Sequence, residues 1–256
     1  MLKNLNSSNT IISLSDVSKS YSGSSATDAG TLLALNHVSL DITAKEFVCL
    51  IGPSGCGKST VLKIIAGLDT QTHGTVDTPK DTAQEKREMS MVFQSGALLP
   101  WLTAYDNVAF GLRAMHIAEK DILERVEKYL DMVGLIDMAK KYPREFSGGQ
   151  RQRIGLARAL AVEPKVLLLD EPFSALDPKT TDELHKDILK IWKNSELTVV
   201  MVSHLIEEAV SLADRVALMK EGEIEEIYQI PFAYPRREQG LPFHDMVQKI
   251  RTKFFA

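Results

Sequence analysis

Apolar positions follow two rhythms along this chain. From Ile11 to Val17 they alternate with polar residues, the period of a half-buried strand. Leu32–Ile42 and Glu46–Ile51 read as further strands, after a polar stretch, Ser22–Thr31, that reads as a mobile loop. Residues 1–10 read as a flexible terminus. Gly57–Ala66 predicts a helix, and short strand signals follow at Gly74–Val76 and Met89–Phe93. From Ala104 to about Ala161 the helical period dominates. Within Ala118–Val133, the residues Ile122, Val126, Tyr129, Leu130 and Val133 fall on one face. Strand signals resume at Val166–Asp170, Leu197–Ser203 and Val216–Lys220, with helices over Lys179–Lys193 and Leu205–Leu212 between them. Strands alternating with helices predict an α/β core with a mostly parallel sheet, and the middle block reads as a helical insertion into it.

One segment carries a specific chemistry. Gly52-Pro53-Ser54-Gly55-Cys56-Gly57-Lys58-Ser59-Thr60 matches GxxxxGK[ST] and lies between a predicted strand and a predicted helix, the context this motif requires. Glycines let the backbone wrap a phosphate with its N–H groups turned inward, and the following helix adds its positive end. Lys58, presented to solvent and ligand rather than packed, is placed to reach the terminal phosphates, and Ser59 to offer a hydroxyl to Mg²⁺. A second segment, Val166-Leu167-Leu168-Leu169-Asp170-Glu171-Pro172, is an apolar run ending in two acids. A buried strand of a parallel sheet has that composition, and its carboxyl end is where such sheets place ligands. Asp170 suits the Mg²⁺ shell, and Glu171 is then placed to polarise a water for attack on a γ-phosphate. Together the two segments predict a P-loop NTPase that binds a nucleoside triphosphate and Mg²⁺.

Composition narrows the setting. No run reaches the roughly 20 apolar residues of a membrane span, and the start, MLKNLNSSNT, has no signal-peptide apolar region. The protein is therefore expected in the cytosol. The net charge of −4 argues against nucleic acid, which favours a basic patch. Two cysteines, Cys49 and Cys56, are too few for a disulfide framework or a finger-type zinc site.

A third feature is Phe146-Ser147-Gly148-Gly149-Gln150-Arg151-Gln152-Arg153, which opens a helix at about Gln150. Ser147, Gly148, Gly149 and Gln150 make either a second anion site or an ordinary helix cap with Arg151, Arg153 and Arg158 solvated, and the residues alone do not decide. With it in view, the chain over residues 11–228 resembles the ATP-binding subunit of an ABC transporter. FSGGQ is similar to that family's signature, with Phe146 in place of leucine. Gln94 in MVFQ matches the Q-loop, Ser174–Asp177 the D-loop, His204 in MVSH the switch histidine, and Tyr21 in VSKSY the aromatic that stacks on adenine. Leu205 departs from the family's pattern, which has an acid after the histidine.

The resemblance implies a P-loop NTPase core with an N-terminal antiparallel β portion, a helical subdomain at about residues 95–161, and a tail over 229–256. It implies catalytic roles for Glu171, His204 and Gln94, with Ser59, Gln94 and Asp170 about the metal. It also implies that two subunits face head to tail, each ATP lying between one P-loop and the other subunit's Ser147–Gln150 and Asp177. The run Ser95–Thr103 (SGALLPWLT) is then either local core or part of a groove, around Ala97–Leu102, that receives a transmembrane permease subunit. FQSGALLPWLTAYDNVAFGL and the tail PFAYPRR resemble ATPases of nitrate, taurine and aliphatic sulfonate importers, which work with a solute-binding protein at the cytoplasmic face of the membrane. With nothing after residue 256, the regulatory domain of sugar-type importer ATPases is not expected. The closing segment Phe243–Phe255 reads equally as a packed helix or a frayed amphipathic tail. The alternative is an ABC ATPase of a lipid or lipoprotein complex, or of a soluble assembly scaffold.

Overall fold

The computed structural model describes residues 9–22, 31–81, 86–174 and 176–255. Residues 1–8 of the expected flexible terminus and 23–30 of the expected loop lie outside them. In chain order the elements are β1 (Thr10–Ser22), β2 (Thr31–Thr43), β3 (Phe47–Ile51), α1 (Lys58–Ala66), β4 (His73–Asp77), β5 (Lys80–Asp81), β6 (Lys86–Arg87) and β7 (Met89–Val92). Then come α2 (Ala104–Ala114), α3 (Glu119–Met132), α4 (Gly148–Ala161), β8 (Val166–Asp170), α5 (Pro178–Asn194), β9 (Thr198–Ser203), α6 (Ile206–Leu212), β10 (Arg215–Lys220), β11 (Glu223–Gln229) and α7 (Leu241–Phe255). The chain forms two compact units, Met1–Glu88 with Thr198–Ala256, and Met89–Leu197.

In the first unit β9, β3 and β10 run parallel, with β11 antiparallel on β10. β3 and β9 are buried throughout, which accounts for their unbroken apolar runs. α1 buries Val61, Leu62, Ile64 and Ile65. β1 sits between β2 and β4 in a second, antiparallel sheet. β1 is longer than its alternation predicts. The register slips between Leu14 and Val17, where Asp16 takes φ 56°, and again between Val17 and Lys19. The first slip gives β1 one residue more than β2 and exchanges the inward and outward faces of β1, so a single period-two pattern cannot run through it; the second gives the extra residue to β2, where His37 takes φ 51°. β11 has no counterpart in the sequence reading. A tight turn at Glu221 and Gly222, both at positive φ, folds it back on β10.

α7 is packed rather than frayed, burying Phe243, Val247 and Ile250. The segment before it is anchored by Arg236, which is buried, donates to Phe232 O and pairs with Asp214 at 2.7 Å.

In the second unit β7 and β8 are parallel, and β8 is wholly buried. α2, α3 and α4 pack on one another through Val108 and Leu112, Ile122, Val126 and Leu130, and Ile154 and Ala157. All five residues of the predicted α3 stripe are buried. The helical block is nonetheless broken. Gly134, at φ 67°, ends the turn after α3, and short 3₁₀ turns occupy Ile136–Met138 and Pro143–Glu145.

Candidate functional site

The first unit carries the phosphate loop. Residues 52–57 join buried β3 to α1. Gly57 is the N-cap of α1 at φ 101°, and a Cβ there would lie 2.6 Å from Ala34 O. Only glycine permits both the left-handed backbone and the close approach. No side chain caps α1 and no acid sits in its first turn.

The sequence places Lys58 toward solvent, and the structure corrects this. Lys58 is only 6 % exposed, and its Nζ donates to Gly52 O and Pro53 O, both at 2.8 Å. A buried ammonium needs partners, and the loop's own carbonyls supply them. Ser59 and Thr60 are half-buried on the first turn.

Tyr21 stands exposed near the end of β1. His204 is exposed directly after β9. Leu205, the missing acid's position, is itself exposed and heads α6 without a side-chain cap. Its amide instead donates to Ser203 Oγ at 3.0 Å, while Ser203 Oγ donates to buried Glu208 at 2.5 Å. A neighbouring pair thus fixes the turn that carries His204.

The second unit brings together Gln94, Glu171 and the signature helix. Gln94 Nε2 donates to Glu171 Oε2 at 3.0 Å. Glu171 follows buried Asp170 and takes φ 46°. A non-glycine residue in that region costs on the order of 1 kcal/mol or more and persists only where its surroundings hold it. Here Glu171 O accepts from Gln152 Nε2 and from Ser174 Oγ, each at 3.0 Å.

Gln152 lies on α4, as do two further residues that clamp the loop after Gln94. Gly155 packs so closely that a Cβ would lie 2.8 Å from Gly96 O, and Arg158 donates to Ala97 O at 2.9 Å and to Gly96 O at 3.0 Å. Arg158 is therefore not a solvated surface residue, and burial lowers the pKa of its guanidinium. Gly155 did not stand out in the sequence, Gln152 appeared there only within the signature run, and Arg158 only as a solvated arginine. Their shared signal was a polar or small residue at every third position of α4.

α4 starts at Gly148 rather than about Gln150. Ser147 is its N-cap, with Ser147 Oγ accepting from Gln150 N and Gln150 Oε1 accepting from Ser147 N. The cap is thus observed, but the three arginines read with it as solvated are not: Arg151 donates to Phe146 O and Arg153 to Val133 O, as Arg158 does to the loop. The cap leaves Gly148 exposed and Gly149 half-buried at the helix start. Asp177 caps α5 in the same way, accepting from Thr180 N at 3.0 Å, and the hydrogen bonds from Thr180 hold its carboxyl below the usual range. Ala175 of the D-loop lies outside the described residues.

The apolar run after Gln94 is not core. Trp101 is 69 % exposed, while Leu98, Leu99 and Leu102 are half-buried. Beneath them Asn107 is fully buried. Its Oδ1 accepts from Leu99 N at 2.8 Å, and its Nδ2 donates to Leu99 O, Leu102 O and Thr103 O at 2.9–3.1 Å. Asn107→Ala is expected to lower stability by about 2–4 kcal/mol, because several buried backbone groups lose their partner at once. It should also loosen the loop. In a Trp192→Phe background, acrylamide quenching of Trp101 should rise.

The family described as ABC transporter matches residues 35–174. The chain belongs to that family. Across 74 % of the chain and 72 % of the relative, it is 44 % identical to the nitrate import ATP-binding protein of a Synechocystis species. It is 38 % identical to the aliphatic sulfonates import ATP-binding protein of Bacillus thuringiensis, over 95 % of both chains. A Synechocystis bicarbonate transport ATP-binding protein is 43 % identical over 88 % of this chain and 80 % of its own. Among solved structures, the fold matches a dimeric ATP-binding cassette in a post-hydrolysis state bound to ADP and phosphate. The TM-score is 0.78 and the identity 34 %, covering 87 % of this chain and all of that one. The protein is an ATP-binding and ATP-hydrolysing subunit of an ABC transporter of the importer group, with an α/β cassette fold. Among the described residues no helix is long and apolar enough to cross a membrane.

Proposed function

We propose that this ATPase drives uptake of a small anionic or polar solute, of the nitrate, taurine or sulfonate kind, from the cytoplasmic face of the membrane as one of two identical copies. The relatives named for nitrate, bicarbonate and sulfonate import support the solute class. The observation that carries coupling to a permease is the loop at Ala97–Leu102. An exposed tryptophan held on a pinned backbone is otherwise an unrewarded exposure of apolar surface, and such groups mark docking sites. A solute-binding protein would deliver cargo to that permease.

In this reading residues 52–57 wrap the phosphates of ATP, Lys58 exchanges its loop carbonyls for the β- and γ-phosphates, Thr60 supports the loop, and Tyr21 stacks on the base. Glu171 accepts a proton from the water that attacks the γ-phosphorus. The bond to the β-phosphate oxygen breaks, leaving ADP and inorganic phosphate. Gln94, hydrogen-bonded to Glu171, and His204 sense the γ-phosphate. Ser147, Gly148, Gly149, Gln150 and Asp177 serve the nucleotide of the partner subunit. Ser59, Gln94 and Asp170 offer hydroxyl, amide and carboxylate oxygens, a donor set that fits Mg²⁺. Bound there, Mg²⁺ would neutralise charge on the phosphates.

Deleting the chain from its host should abolish uptake of one labelled solute among nitrate, bicarbonate, sulfate and taurine. Unchanged uptake of all four, with a defect in lipid or lipoprotein traffic, would overturn the reading. Trp101→Ala should abolish co-purification with an integral membrane protein. It should shift stability by no more than about 0.5 kcal/mol, as at other exposed positions. A large fall in melting temperature with intact co-purification would remove Trp101 from the docking surface.

A further inference from the structure

Tyr21 is held in place by more than its own strand. Its hydroxyl donates to Asp69 Oδ2 at 2.5 Å. Asp69 follows the end of α1, where Lys63 O accepts from both Leu68 N and Asp69 N. The other carboxylate oxygen, Oδ1, accepts from Thr70 N at 2.7 Å and from Lys19 Nζ at 2.5 Å. Lys19 Nζ also donates to Thr70 O at 2.6 Å and stands 4.7 Å from the centre of the Tyr21 ring. The hydroxyl is also acted on by Thr60, on the first turn of α1.

Exposure separates these groups. The Lys19 and Asp69 side chains are 12 % and 22 % exposed, whereas Tyr21 is 38 % exposed. Two sheltered ions therefore hold an exposed ring. The Lys19 and Tyr21 hydrogen bonds keep the Asp69 carboxyl ionised down to a pKa of about 2.

We propose that Asp69 and Lys19 are positioning residues for the nucleotide base. Asp69 fixes the Tyr21 ring relative to α1, and Lys19 covers one face of it, so that a purine stacks on the other. The proposal rests on the reading of Tyr21 as the base platform. Fixing an exposed aromatic forfeits side-chain freedom without burying surface. That cost is recovered when a flat ligand meets a ring already oriented. An ammonium over one face is an attractive contact, and it leaves a single face for stacking.

The test compares binding of ATP and of inorganic tripolyphosphate, each with Mg²⁺, by titration calorimetry. The ratio of the two affinities isolates the contribution of the nucleoside, and a general loosening of the phosphate loop would weaken both ligands alike. Tyr21→Ala is the reference. It should reduce the ratio about tenfold, the size of a lost base–aromatic stack. Asp69→Ala and Tyr21→Phe should each reduce it several-fold with tripolyphosphate binding unchanged, and the double variant should be no worse than either alone. Asp69→Asn keeps an acceptor for the tyrosine hydroxyl and should restore most of the ratio. If Tyr21→Ala lowers the ratio while Asp69→Ala and Tyr21→Phe do not, the positioning role is wrong and the platform stands. If Tyr21→Ala leaves the ratio unchanged, the platform reading fails and the proposal with it. Equal weakening of both ligands in Asp69→Ala overturns the positioning role. Should that variant not fold, Tyr21→Phe and Asp69→Asn decide on the same criteria.

Discussion

Glu171→Gln is expected to cut ATP hydrolysis by roughly 10²–10⁴-fold while ATP still binds. The substitution removes a proton acceptor and little else. The amide matches the carboxylate in size, and it can keep a hydrogen bond to Gln94, now 3.0 Å from Glu171 Oε2. The backbone that holds residue 171 at φ 46° is fixed through its carbonyl, by Gln152 and Ser174, and those bonds do not involve the carboxylate. Slow hydrolysis with intact binding should leave ATP trapped between two subunits. Gel filtration with ATP and Mg²⁺ should then show a long-lived dimer for the variant and little for wild type. A variant that hydrolyses ATP within a few-fold of wild type would remove Glu171 as the base.

Lys58→Ala should weaken ATP binding about 10- to 100-fold, the loss of one or two hydrogen bonds between charged groups. The structure adds a second consequence. Lys58 Nζ bridges Gly52 O and Pro53 O, so removing it also leaves the loop without its internal clamp. Stability should fall by about 1–2 kcal/mol, and amide exchange in residues 52–57 should quicken. Nucleotide binding by calorimetry and exchange by mass spectrometry read the two effects separately. Unchanged ATP affinity would mean that Lys58 is not a phosphate ligand, whatever the exchange shows. Unchanged exchange with lost affinity would mean that the carbonyl clamp contributes nothing to the resting loop.

Much of this protein was legible in one dimension. GxxxxGK[ST] between a strand and a helix, and VLLLDEP, are statements about local backbone and burial. Such features are written within a dozen residues, so the strand, loop and helix around Gly52–Thr60 and the buried strand ending at Asp170 were legible in the sequence. The α3 stripe Ile122, Val126, Tyr129, Leu130 and Val133 was legible for the same reason, since one helix repeats its face every 3.6 residues. β1 was only partly legible. The bulge at Asp16 changes its faces, and a bulge depends on the partner strand rather than on the strand's own sequence.

What contacts between distant segments decide was not in the pattern. A lysine after a glycine loop reads as solvent-facing until the fold shows Gly52 O and Pro53 O turned toward it. An asparagine in AYDNVAF reads as one polar residue of an amphipathic helix. Only the folded loop from Leu99 to Thr103 makes Asn107 its anchor and leaves Trp101 outside. Asp69 is separated from Tyr21 by 48 residues, and nothing in either neighbourhood announces the other. Periodicity reports which side of an element is apolar. It carries no information on which polar group will meet which, because a hydrogen bond is fixed by the position of both ends and those are set only when the chain has closed on itself.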